Sequence, residues 1–141
     1  MASHALLSAS SSHRWLHCTG APRLEATFPD TTSEYAKEGT LAHELCELKL
    51  KKYTTAMAKG TYTRAYNKIK KNEIWASEMD ETTDVYLEYI KSIMLSYKVA
   101  PVVVIEKRVD FSQYVPEGFG TADCIILAGD TLHIIDYKHG K

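Results

Sequence analysis

The stretch Gly120-Thr121-Ala122-Asp123-Cys124-Ile125-Ile126-Leu127-Ala128-Gly129-Asp130-Thr131-Leu132-His133-Ile134-Ile135-Asp136-Tyr137-Lys138 decides how this chain is read. Within it, Gly129-Asp130 separates two β-rich runs, residues 124–128 and 131–137. A pair of this type between such runs is a strong hairpin signal, because the tight turn needs positive φ. With these two as the turn residues, Ala128 faces Thr131, Leu127 faces Leu132 and Ile125 faces Ile134. The same count sets Asp123 directly opposite Asp136. Alternation along the strand then puts Lys138 on the face of Asp136.

Opposed residues have Cβ atoms about 4.5–5.5 Å apart, where like charges repel. Folding alone would not select two facing carboxylates. A divalent cation bridging them accounts for the choice, with the lysine beside the remaining negative charge. The alternative is a solvated hairpin whose charges splay into water, or a one-residue bulge that breaks the register.

Upstream, the serine run 8–12 can cap a short helix beginning near His13, which stops at Thr19-Gly20-Ala21-Pro22, and residues 23–30 read as a connection. Thr31-x-x-Glu34 is a capping-box pattern opening a long helix over about 32–53. Leu41, Leu45 and Leu48 form its core-facing stripe, with Gly39, His43 and Glu47 on a neighbouring one. A mid-helix glycine costs about 1 kcal/mol against alanine, which suggests close backbone approach at Gly39. His43 reads either as a satisfied helix histidine or as a metal ligand aimed at the hairpin. A further helical stretch covers 62–71. Ser77-x-x-Asp80 opens another helix to about residue 98, whose Val85, Tyr86, Tyr89, Ile90, Ile93, Met94 and Tyr97 read as core. Residues 102–109 are a β-branched strand, and 113–119 a loop with Pro116 and Gly118.

This order predicts an α+β fold, with N-terminal helices packed on a small, mainly antiparallel three-stranded sheet. One domain over 1–141 is expected, made of an N-terminal capping segment (1–30), a helical part (31–100) and a β-meander with the metal site (101–141). The 45% hydrophobic and 25% charged composition excludes a disordered chain. A formal net charge of −1 gives no global basic field. The local clusters Lys49-Lys51-Lys52 and Lys68-Lys70-Lys71 read by default as solvated helix faces. Cys18, Cys46 and Cys124 lack CxxC spacing, so neither a disulfide framework nor a self-contained zinc site is expected. With no apolar run of membrane-spanning length and no charged leader ahead of an apolar core, a soluble cytoplasmic protein without a membrane partner is expected.

With these residues in hand, the chain resembles the PD-(D/E)XK nuclease superfamily, in its RecB-like and phage-exonuclease branch, which includes the CRISPR-associated adaptation nuclease. Gly39-Thr40-Leu41-Ala42-His43-Glu44 looks like that branch's first-helix motif, whose histidine ligates metal. Gly120-Thr121-Ala122-Asp123 looks like the second motif, and Ile134-Ile135-Asp136-Tyr137-Lys138 like the third. The resemblance implies a partial restriction-endonuclease-like core and a metal-dependent deoxyribonuclease, exonuclease-like and phage or prophage encoded, acting on DNA in a bacterial host cytoplasm.

The resemblance also implies the site. Asp123, Asp136, His43 and the backbone carbonyl of Tyr137 would hold Mg²⁺ or Mn²⁺, the histidine tilting the choice towards manganese. Asp123, Asp136 and Lys138 would be the catalytic set, with Glu44, Glu47 and Glu106 as accessory groups. The family core continues past the third motif with a helix and a strand, and many members add a glutamine/tyrosine motif. A longer chain, a partner subunit or a second copy is expected to supply them. Ser8-Ala9-Ser10 through Cys18 is similar to the segment carrying the first cluster cysteine of iron–sulfur members, so Cys18 would ligate a 4Fe-4S cluster in a longer form with three C-terminal cysteines. Cys46 and Cys124 read as small core residues. The competing reading is a truncated, non-catalytic nuclease-fold module that binds nucleic acid or a protein partner; a structural domain whose carboxylates never meet is a third.

Overall fold

A computed structural model of the chain describes residues 5–29 and 33–140. Among the described residues a 3-10 turn, Ala9–Ser11, is followed by helices α1 (Ser12–Trp15), α2 (Ala21–Glu25), α3 (Glu34–Thr54), α4 (Lys59–Lys70) and α5 (Ser77–Leu95). Strands β1 (Val102–Asp110), β2 (Phe119–Ala128) and β3 (Thr131–Ile135) follow, in one sheet ordered β1-β2-β3. The fold is α+β, as its order of elements predicts. The chain groups into two compact units: Met1–Thr31 with Lys107–Ala122, and Thr32–Glu106 with Asp123–Lys141.

The second unit is built around α3, which packs against both α4 and α5. Leu41, Leu45 and Leu48 are buried as their spacing requires, joined by Ala42, Cys46 and Leu50. Met79, Tyr86 and Ile90 of α5, Ile69 of α4 and Cys124 and Ile126 of β2 complete this core. Removing a fully buried side chain such as Leu45 or Ile90 from water is worth about 1.5–3 kcal/mol each, so the long helix is held chiefly by its packing. Its described start is capped by Ser33, whose hydroxyl accepts from the Ala36 amide at 3.2 Å. Thr31 of the expected capping box lies outside the described residues.

Four features of these helices depart from what their spacing predicts. A Cβ on Gly39 would meet nothing within 4 Å, so no close backbone approach explains that glycine. α5 starts after Ala76 with no side-chain cap, and the Asp80 carboxylate is engaged by Lys49 and Tyr66. On α5, Tyr86 and Ile90 are buried, whereas Val85 and Tyr89 are exposed, since only one face of the helix meets α3. Lys49 is not on a solvated face but 5% exposed, on the stripe of Leu41 and Leu45.

The hairpin forms in the expected register, with Ala128↔Thr131, Leu127↔Leu132, Ile126↔His133, Ile125↔Ile134 and Cys124↔Ile135 paired antiparallel. Gly129 takes φ +59° at the turn, in open space. Gly129→Ala therefore costs only the backbone term of an L-residue in the left-handed region, about 1–2 kcal/mol. The expected result is a melting temperature lower by several degrees, with Gly129→Asn recovering part of the loss because asparagine tolerates this region better. Equal melting of wild type and Gly129→Ala would show that the turn is not rigidly held.

In the first unit Ser8 caps the 3-10 turn by accepting from the Ser11 amide, and its carbonyl takes the Trp15 indole N–H at 2.9 Å. Residues 21–25, read from the sequence as the end of a helix and a connection, form α2 instead. Pro22 sits in its first turn, where a missing N–H costs nothing and the fixed φ suits a helix start. The Arg108 guanidinium lies 3.7 Å from the Phe119 ring centre.

Candidate metal centre

Three elements of the second unit converge at one point. α3 supplies His43, one turn before the half-buried Glu47; β1 supplies Glu106; and β2 supplies Asp123. One ligand atom from each lies within 4.8 Å of the others. His43 Nδ1 stands 3.3 Å from Asp123 Oδ2, with side chains 32% and 12% exposed, so the pair sits at the edge of the core. The Tyr137 amide donates to the same Asp123 oxygen at 2.7 Å. Asp123 Oδ1 has no hydrogen bond among the described residues, which leaves an oriented carboxylate oxygen for a ligand.

Glu106 reaches this point through its backbone. It holds φ +49° inside β1, a conformation that glutamate rarely adopts. Such strain costs on the order of 1–3 kcal/mol and concentrates at functional sites. Partial desolvation, then the facing charges of Asp123 and Glu47, raise its carboxyl above the ordinary value, with Lys51 opposing. Burial likewise raises Asp123, with Asp136 adding to it, while the Tyr137 amide, His43 and Lys138 pull the other way. Both carboxyls thus hold their charge less readily than in open water, although Glu106 is exposed. Nearby, the Tyr86 hydroxyl is buried without a hydrogen-bond partner among the described residues, and its ionisation is pushed up by burial and then by Cys124, Asp123, Cys46 and Glu106. A hard divalent ion fits this donor set of one imidazole and two carboxylates.

Asp136 does not join the three-ligand group among the described residues. The ladder ends at Cys124↔Ile135, one residue short of the expected Asp123–Asp136 pair. The reason is local: the Tyr137 amide is spent on the Asp123 side chain rather than on a ladder carbonyl, and the chain leaves the strand there. Asp136 pairs instead with Lys138 at 2.7 Å, both well exposed. Glu44 and Glu47 lie beside the site on α3 and line a cleft towards α4. Cys46 and Cys124 are buried and free, while Cys18 belongs to the first unit and is exposed.

A chain of contacts absent from the sequence reading holds the segment after β3. Tyr137 is buried, its ring edge-on to His43 and to Tyr86, each with centroids 5.4 Å apart. Its hydroxyl meets Thr82 Oγ1 at 2.8 Å and His139 Nδ1 at 3.2 Å. His139 in turn approaches Glu38 of α3 at 3.4 Å. The available signal was a second histidine directly after Lys138.

A family model described as a protein of unknown function, DUF2800, matches residues 4–141. The chain belongs to the DUF2800 family. No solved structure matches it. In this DUF2800 chain the match takes in the hairpin, α3 and β1 alike, so all three elements that carry His43, Glu106 and Asp123 lie within the family's extent. Among the described residues no helix is long and apolar enough to cross a membrane.

Proposed function

We propose that this chain is a metal-dependent deoxyribonuclease of PD-(D/E)XK type, hydrolysing phosphodiester bonds. The observation that carries the reading is the convergence of His43, Glu106 and Asp123, with ligand atoms within 4.8 Å of one another, from three separate elements. In this reading those three side chains hold Mg²⁺ or Mn²⁺, and the Tyr137 carbonyl and Asp136 are the further oxygen donors at hand. When bound, the ion would neutralise charge on the scissile phosphate and make a coordinated water more acidic than bulk water.

The remaining work falls to the protein's own groups. The Tyr137 amide fixes the Asp123 carboxylate, so one oxygen keeps a constant direction. The buried Tyr137 ring, braced by Thr82 and His139, keeps His43 and the segment bearing Lys138 in one frame. Lys138 is exposed and anchored by Asp136. Its ammonium can therefore reach a phosphate oxygen or orient an attacking water.

The test is cleavage of linear DNA by the full chain with Mn²⁺ or Mg²⁺ present, read beside the melting temperature. Mn²⁺ is expected to raise the melting temperature, because an ion that binds only the native state stabilises it. Lys138→Ala is expected to keep that rise yet lose cleavage by about 10²–10⁴-fold, the contribution typical of a positioned proton-transfer group. Unchanged cleavage in both Lys138→Ala and Asp136→Ala would overturn the assigned site. DNA binding without turnover at high Mn²⁺ would favour a non-catalytic module instead.

A further inference from the structure

At the edge of the core where α4 packs on α3, residues Leu48, Met57, Ala65 and Ile69 line an open cleft of about 370 Å³. Its size falls in the range of small-ligand sites. Glu47 and Lys51 pair with each other on the α3 wall, and Lys68 and Asn72 stand on the α4 side. The cleft adjoins the metal centre. His43, Glu47 and Lys51 are four residues apart on one stripe of α3, a step of about 6 Å each, and Glu47 and Lys51 line the cleft.

The charge on α4 is one-sided. From residue 59 to 72 the chain carries Lys59, Arg64, Lys68, Lys70 and Lys71 and not a single acid, in a protein whose net charge is −1. A helix face that is merely solvated commonly interleaves acids four residues from its lysines. Here Lys59, Arg64 and Lys68 have no carboxylate within 4.0 Å among the described residues. Of these three, Lys68 lines the cleft, where Lys51 is paired with Glu47 and Glu44 stands exposed. An apolar floor beside one unneutralised cation, on a helix whose charge is all positive, is a pattern that suits a single nucleotide, with its base against the floor and its phosphate on the lysine.

We propose that the α3–α4 cleft is a nucleotide subsite, receiving the residue of a DNA strand next to the scissile phosphate. This rests on the nuclease reading for its place beside the site, and on the cleft's own charge and floor for its ligand. Lys68 holds the backbone phosphate. Ala65 and Met57 face the base, and the Glu44 carboxylate, exposed at the cleft's α3 wall, accepts from exocyclic amino groups.

The probe is a short fluorescein-labelled single-stranded oligonucleotide titrated by anisotropy against the full chain in Ca²⁺, with cleavage in Mn²⁺ measured in parallel. Lys68→Glu, an exposed change, is expected to weaken binding by about ten-fold and to lower the salt slope by about one to two. Ala65→Trp, which fills the cleft, is expected to weaken binding with little change in that slope. The same charge reversal at exposed Lys98 is expected to stay within about two-fold, since a single solvated charge away from the contact is screened. Wild-type binding to both cleft variants, or no binding by wild type, overturns the subsite. If wild type cleaves while both variants bind normally, the subsite fails and the nuclease reading stands. If the variants lose binding but wild type never cleaves, the cleft stands as a nucleotide-binding site, while its place beside a scissile phosphate fails together with the nuclease reading.

Discussion

Asp123→Asn is expected to abolish metal-dependent cleavage while leaving the metal-free protein as stable as wild type at neutral pH, or more so. The two halves follow from one geometry. Asp123 is the member of the centre that touches both His43 and the Tyr137 amide, so a loss of its charge removes the middle of the donor set. A bound ion of this kind contributes several kcal/mol of charge stabilisation in phosphoryl chemistry, so the activity lost is on the order of a thousand-fold or more. The Mn²⁺-induced rise in melting temperature is expected to vanish with it.

The stability half comes from the sign of the titration. Burial, and then Asp136, raise the folded-state pKa of Asp123 above its ordinary value. A carboxyl raised in this way favours the folded state while protonated, below its unfolded pKa of about 3.9. That contribution is lost as pH rises through the folded value. At neutral pH the metal-free wild type therefore carries an ionised, desolvated carboxylate facing Glu106, and asparagine removes it while still accepting the Tyr137 N–H. The difference between variant and wild type is expected to grow from acid towards neutral pH and to disappear or reverse when Mn²⁺ is added. Thermal melts across that range in chelator and in Mn²⁺ measure it. A variant that melts well below wild type in chelator would mean that Asp123 holds the fold rather than a cation.

What was legible in the sequence was whatever depends on local spacing. The Leu41–Leu45–Leu48 stripe and the two-residue turn at Gly129-Asp130 specify burial and register from a handful of neighbours, and both are found. The candidate ligands His43 and Asp123 were legible as residue types, and the structure brings them within 3.3 Å. Glu106 stood only among the accessory groups, because its place at the centre depends on a left-handed backbone within β1. No side-chain pattern reports such a conformation in glutamate. The Asp123–Asp136 pairing was overextended by one residue, since a carboxylate capturing a backbone amide ends a ladder that periodicity alone would continue. Lys49 shows the opposite case. It lies four residues past Leu45, squarely on the buried stripe, yet its company of Lys51 and Lys52 marked it as surface.

Asp80→Ala, which strands that lysine, is expected to destabilise the protein by about 3 kcal/mol, at the low end for removing one partner of a buried charge. All three donors of the Lys49 ammonium are used: Asp80 Oδ1 at 2.6 Å, Asp84 Oδ1 at 2.5 Å and the Asp80 carbonyl at 2.9 Å. The other Asp80 oxygen accepts from the Tyr66 hydroxyl at 2.5 Å. Truncating Asp80 leaves Lys49 with Asp84, whose side chain is 62% exposed and shares its charge with water. Asp84→Ala alone is accordingly expected to cost under about 1 kcal/mol. Adding Lys49→Met to Asp80→Ala is expected to recover most of the loss, because no uncompensated charge then remains in the core. The pH dependence carries a definite sign. Burial alone would raise the Asp80 carboxyl, but hydrogen bonds from Lys49 and Tyr66 outweigh it and hold the group below its ordinary value. Its contribution is present above the unfolded pKa of about 3.9 and is lost as pH falls through the folded value. The gap between wild type and Asp80→Ala, followed by urea unfolding, should therefore be full near neutrality and close below about pH 4. A gap under about 0.5 kcal/mol at neutral pH, or one that widens in acid, would show that Lys49 finds its stabilisation elsewhere.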